Sequence, residues 1–191
     1  RAGIPLAAWG TRLPAQKYPV VGTDNRLGGQ LGTDHMIRHG RRRIAFLGDE
    51  RLPEVGHRHE GYRDALREAG LKAHPELHVR SHFGSEDAYV SMRTLIETGA
   101  DFDGVMAASD VIAISAIRAL VESGRRVPQD VSVVGFDDIL LAEHAHPRLT
   151  TVRQELAQGA IKLVETVIAA IRGEQPESTT LAPSLIVRAS A

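Results

Sequence analysis

The chain has 191 residues, with 23 Lys and Arg against 24 Asp and Glu for a formal charge of −1, 42% hydrophobic residues and no Cys. Those values suit a globular protein and exclude a collagen, a coiled coil, a disordered tail, a disulfide scaffold and a thiolate zinc site. The apolar runs are too short to cross a bilayer. The near-neutral charge argues against a nucleic-acid surface within these residues, because phosphate binding needs clustered Lys and Arg. The one tight basic cluster, Arg41, Arg42 and Arg43, reads as a solvated turn at a helix C-terminus.

Short β-branched runs alternate with longer stretches of helical period. Strands are predicted at residues 20–22, 44–47, 77–80, 104–107, 131–136 and 185–187. The first helix takes Asp24 or Asn25 as its N-cap and Gly40 as its stop. Inside it, Gly28, Gly29 and Gly32 each cost about 1 kcal/mol of helix propensity against Ala, which points to close backbone packing. A second helix is expected over 60–69 and a third over 85–97. A fourth opens at Ser109 or Asp110 and stops at Gly124. A last helix is expected to bury Leu156, Ala160, Leu163, Val164, Val167 and Ile171 before Gly173. Strands alternating with helices, and apolar on both faces, imply an α/β fold with parallel sheets flanked by helices.

In such sheets ligands sit at the carboxyl ends of the strands. Reading those ends gives the loop that reaches Arg58, then Phe83, then Ser109 and Asp110, then Asp137 and Asp138. A guanidinium, an aromatic face, a hydroxyl and carboxylates suit a polyhydroxylated small molecule. Each also has a plain structural role available. Arg58 suits an ion pair with Asp64 or Glu60, Phe83 suits the core, Asp110 suits a helix cap, and the two aspartates suit a turn. No G-x-S-x-G, P-loop or G-x-G-x-x-G pattern is present. The pairs His57/His59 and His144/His146 lie in loops or helix starts with no further metal ligand suggested. Neither a catalytic group nor a cofactor or metal is expected.

The segments VPQDVSVVGFDD, HPRLTTVRQ, ASDVIAISAIRAL and LIVRAS resemble the lactose/galactose repressor (LacI/GalR) family of bacterial transcription regulators. The earlier blocks RHEGYRDALREAGL and DNRLGGQLGTDHMIRHGRRRIAFLGD resemble the same family, so the match runs in order from Ile4 to Ser190. The resemblance implies a two-lobed, periplasmic-binding-protein-like (type I) fold with the ligand held between the lobes. Residues 25–152 with 179–191 would form the C-terminal lobe, and 1–24 with 153–178 a remnant of an incomplete N-terminal lobe. Crossings would fall near Asp24, at 152–154 and at 178–181.

By the same resemblance, Arg58 and Asp137 would hold the effector, Phe83 would stack on it, Ser109 would stand where many members have Asn, and Glu54 would reach the cleft. Gly10 replaces a ligand-binding Asp or Arg of several members, and Trp9 beside it reads as core rather than cleft wall. The implied partners are a sugar or sugar derivative, a second copy in a homodimer, and operator DNA. The DNA would be reached through a headpiece not within these residues, as expected of a cytoplasmic fragment of a longer regulator. The rival reading is a periplasmic sugar-binding protein of a transport system.

Overall fold

Hydrophobic runs of four to six residues set the strands. A computed structural model describes residues 4–191, and residues 1–3 of the expected N-terminal remnant lie outside the described residues. In chain order the first elements are β1 (Ala8–Trp9), β2 (Val20–Thr23), α1 (Asn25–Arg38), β3 (Ile44–Leu47), α2 (Pro53–Glu68), β4 (His78–Val79) and α3 (Ser85–Glu97). Then come β5 (Gly104–Ala107), α4 (Asp110–Glu122), β6 (Ser132–Asp137), α5 (Leu140–His144), β7 (Thr150–Arg153), α6 (Leu156–Ile171), β8 (Thr179–Leu181) and β9 (Ser184–Ile186).

The strands sort into two sheets. The smaller runs β1-β2-β8 and is all parallel; the larger runs β4-β3-β5-β6-β7-β9, with only β9 antiparallel. The α/β architecture is the one expected. The chain passes between sheets after Thr23, after Arg153 and after Leu181. The stretch expected as a crossing at 178–181 is therefore strand β8 of the smaller sheet, and the turn between sheets falls at 182–183. The center of the larger sheet is covered on both faces: Phe46, Met106, Val134 and Phe136 have no exposed surface.

Local chemistry explains the boundaries. Asp24 caps α1, its carboxylate accepting the Leu27 N–H at 2.9 Å, and Gly40 takes φ +90° beyond its end. Helix α2 opens at Pro53, a residue suited to a first turn, rather than near residue 60. Its first two turns are largely polar, so periodicity did not reveal them. The Arg41–Arg43 run does occupy the turn between α1 and β3, where Arg41 reaches Ser132 and Arg43 reaches Asp101.

The helical glycines mark close approaches. A Cβ at Gly28 would meet the Phe136 ring, and one at Gly32 the Met106 sulfur at 2.8 Å. At the α1–α2 contact the relation is mutual: a Cβ on Gly29 would overlap the Arg58 carbonyl, and one on Gly61 the Arg26 carbonyl. Backbone cannot yield as a flexible side chain can. Gly61→Ala is therefore expected to destabilise the fold by about 2 kcal/mol, read as a lower urea midpoint; an unchanged midpoint would show that the helices can separate without cost.

Helix α6 lies against β1 and β2 and departs from expectation. Its buried residues are Gly159 and Thr166. Leu156, Ala160, Val164 and Ile171 are exposed and Leu163 and Val167 only half-buried, because its apolar side faces away from the sheet. Together with Ile161 and Ile168 this is a continuous apolar stripe of the kind that drives association. The 191 residues expressed alone are expected to self-associate in sedimentation velocity, and Val164→Glu to reduce it; a clean monomer at all concentrations contradicts this.

Candidate functional site

The carboxyl ends of the strands of both sheets converge on one cavity of about 290 Å³. From the smaller sheet, the end of β1 supplies Trp9 and Gly10, and the end of β2 supplies Thr23 and Asn25. From the larger sheet come Glu54 and Arg58 on the first turns of α2, Phe83 after β4, Asp137 at the end of β6 and Gln154 after β7.

Arg58 is the center of this arrangement and is only 5% exposed. Its Nε donates to Asn25 Oδ1 at 2.8 Å, its Nη1 donates to the Ala108 carbonyl, and its guanidinium lies 3.6 Å above the Phe136 ring. Asp137 Oδ1 is 3.9 Å from Nη1. Arg58 thus does not pair with Asp64, which is held by Arg26 and Arg67 instead. Burial pushes the Arg58 pKa down and the carboxylates of Asp137 and Glu54 push back. Burial likewise pushes the Asp137 carboxyl up, against the opposing pull of Arg58 and the Gln154 hydrogen bond.

Asp137 and Asp138 divide the work of the strand end. Both have positive φ, 117° and 56°, which reverses the chain at the tip of β6. Asp137 faces the cavity and accepts from Gln154 Nε2 at 2.7 Å. Asp138 turns away into ion pairs with Arg153 and Arg188, each at 2.7 Å. Gln154 in turn accepts the Thr23 hydroxyl at 2.8 Å, so a polar chain crosses from one sheet to the other through it. Glu54 makes a second crossing by accepting the Thr11 N–H at 3.1 Å.

Four of the expected site residues, Glu54, Arg58, Phe83 and Asp137, line this cavity together. Ser109 does not. It is 2% exposed and its hydroxyl caps α4, accepting the Ile112 N–H at 3.3 Å. Trp9 is wall rather than core: it is 38% exposed at the cavity and its ring edge rests on Gly159. Phe83, 47% exposed, presents a platform. Thr23, Asn25 and Gln154 are not among the lining residues expected from sequence; Thr23 and Asn25 lie just past the expected strand at 20–22, where the strand-end rule already applies, and only Gln154 depends on recognising β7. Among the described residues no group of three or more His, Asp or Glu could hold a metal ion, and no helix is long and apolar enough to cross a membrane.

Two mostly parallel sheets flanked by helices, whose strand ends face one cavity with convergent polar groups, define a two-lobed ligand-binding domain. The sequence pattern of the periplasmic binding protein-like domain matches residues 33–191. The regulator CelR of Thermobifida fusca is 37% identical over 194 residues, 99% of this chain and 57% of its own length. A solved transcriptional regulator CelR–cellobiose complex superposes with a TM-score of 0.92 at 35% identity, over 97% of this chain and 58% of that one. A sugar-binding transcriptional regulator of the LacI family from Escherichia coli, complexed with phosphate, gives 0.89 at 30% identity over 98% of this chain and 68% of that one. The chain belongs to the LacI/GalR family, as a periplasmic-binding-protein-like domain. It spans little more than half the length of the curated relatives it matches, and those relatives are regulators, not enzymes.

Behind the cavity lies a fully buried carboxyl. Asp110 accepts the Thr151 hydroxyl and the Ile139 N–H. Burial pushes its pKa up to about 7; the two hydrogen bonds oppose that shift and the charges of Asp137 and Asp138 add to it. A group raised in the folded state binds its proton more tightly there, so its stabilisation is full below about pH 4 and is lost as pH rises toward about 7. The Tm deficit of Asp110→Asn should therefore shrink as pH rises across that window. A deficit constant with pH would mean that Asp110 does not titrate there.

Proposed function

We propose that this chain is the effector-binding and dimerisation domain of a bacterial LacI/GalR-type regulator. It takes a small sugar-like ligand between the two sheets and controls operator binding allosterically, through a DNA-binding headpiece elsewhere in the protein. The observation that carries this reading is the convergence of Arg58, Asp137, Glu54 and Phe83 on one cavity at the strand ends of both sheets. Its volume, about 290 Å³, is at the lower end for ligand pockets and of the order of one sugar ring. Hydroxyl hydrogens would go to Asp137 and Glu54, hydroxyl oxygens would accept from Arg58, and an apolar ring face would rest on Phe83. The cellobiose in a solved relative supports this ligand class.

The lobes follow the two sheets, with β1, β2, α6 and β8 in one and the remaining elements in the other. A ligand bridging them favours one hinge angle. In a homodimer that angle sets the spacing of two headpieces, which must match half-sites about one helical turn apart. The exposed Val121, Leu140 and Leu141 support a second copy as a partner. The effector shifts DNA affinity only through its preference for one hinge state, about 1–3 kcal/mol of coupling. Operator binding places the protein in the cytoplasm, and the regulator relatives favour this reading over a transport protein.

Calorimetry on the intact protein with cellobiose, ribose and glucose tests the reading. Saturable binding of at least one sugar is expected. Arg58→Ala and Asp137→Ala should each weaken it by about 1–3 kcal/mol, because each leaves a buried polar partner unpaired. Unchanged affinity in both variants would remove the cavity from effector binding.

A further inference from the structure

The charges around the cavity do not balance. One guanidinium, Arg58, faces two carboxylates, Asp137 and Glu54, and the other lining residues are neutral. Two of the guanidinium's five N–H donors go to Asn25 Oδ1 and the Ala108 carbonyl, and its single positive charge already faces Asp137 Oδ1 at 3.9 Å. Glu54 has one oxygen on the Thr11 N–H, and among the described residues no cation lies within ion-pair distance of it.

The seat of Glu54 depends on Gly10. Gly10 takes φ +138°, a conformation that L side chains rarely adopt, and a Cβ there would stand 3.0 Å from Glu54 Oε1. A side chain at position 10 would displace the carboxylate. The glycine thus leaves the space into which Glu54 reaches from the opposite lobe. A negative charge is fixed at the cavity wall just where the two lobes meet.

We propose that the cavity selects neutral, hydroxyl-rich sugars against their phosphorylated and carboxylated counterparts, and that Glu54 is the residue that sets this selection. The inference rests on the reading of the cavity as an effector site. A neutral sugar gives hydroxyl hydrogens to both carboxylates. An anionic group within the same walls meets two like charges against the single cation of Arg58, and like charges across an interface suppress binding strongly.

The test is calorimetry on the intact protein with glucose, cellobiose and ribose, and with glucuronate, glucose 6-phosphate and inorganic phosphate. A neutral sugar should bind about a hundredfold more tightly than the anionic ligands. Glu54→Gln should narrow that ratio about tenfold, while Glu54→Asp, which keeps the charge, should preserve it. Anionic ligands binding as well as the neutral ones would overturn the selection and leave the effector reading standing. A ratio unchanged in folded Glu54→Gln would overturn the assignment to Glu54. Binding of no ligand in the panel would overturn the effector reading, and this inference with it.

Discussion

A buried guanidinium holds this site together. Removing a charge from water is costly, and an ion pair alone seldom offsets it. Arg58 is accommodated because polar and aromatic groups surround it on the side away from the cavity. An amide oxygen of α1 lies on one side, a β5-end carbonyl on another, an aromatic face beneath, and the Asp137 carboxylate beyond. Those groups come from three elements besides its own helix, so the arginine fixes their mutual positions as much as they fix it. Its planar fork makes this possible; an ammonium could not stack on Phe136 and donate in two directions within one plane.

The position of Arg58 depends on glycine. Helices α1 and α2 approach until the missing Cβ of Gly29 sits against the Arg58 backbone and the missing Cβ of Gly61 against Arg26. With larger residues the axes would stand apart, and the guanidinium would no longer reach Asn25 and Ala108 together. Three glycines in one helix are a poor choice for helix propensity. They are understandable as the condition for setting a charged side chain behind the cavity. Gly10 plays the matching part on the facing lobe, where its absent side chain admits Glu54.

How far the sequence discloses this depends on the scale of each signal. Strands β3 and β5 and helix α3 were legible to the residue, because long apolar runs and strong turn residues mark them. Strands β1 and β8 are two and three residues long and were invisible. The start of α2 was hidden because polar turns carry no period. For α6 the 3.6-residue pattern was sound, but periodicity reports an apolar face and not what covers it. Ser109 was misplaced for a related reason: a serine before a helix can serve a ligand or the helix, and only geometry shows the hydroxyl turned to the Ile112 N–H. Asp137, by contrast, ends its strand and reaches the cavity by a rule that depends on topology alone, whereas Arg58 stands on α2, well past the end of β3, and enters that reading only through the connection after β3.

The tip of β6 shows why two identical neighbours differ in role. Successive residues of an extended strand point to opposite sides, and at Asp137 and Asp138 positive φ values add a reversal of the backbone. Such conformations cost about 1–3 kcal/mol each for residues other than glycine and persist only where the surroundings enforce them. Here Asp138 supplies the enforcement, since Arg153 and Arg188 grip its carboxylate from β7 and from beyond β9. That anchor holds Asp137 with its carboxylate toward Arg58 and Gln154, and Gln154 passes the contact to Thr23 in the other sheet. The strain at the strand end is therefore tied to the crossing between sheets. The Asp137 carboxylate on the cavity wall is thus coupled through Gln154 to the smaller sheet.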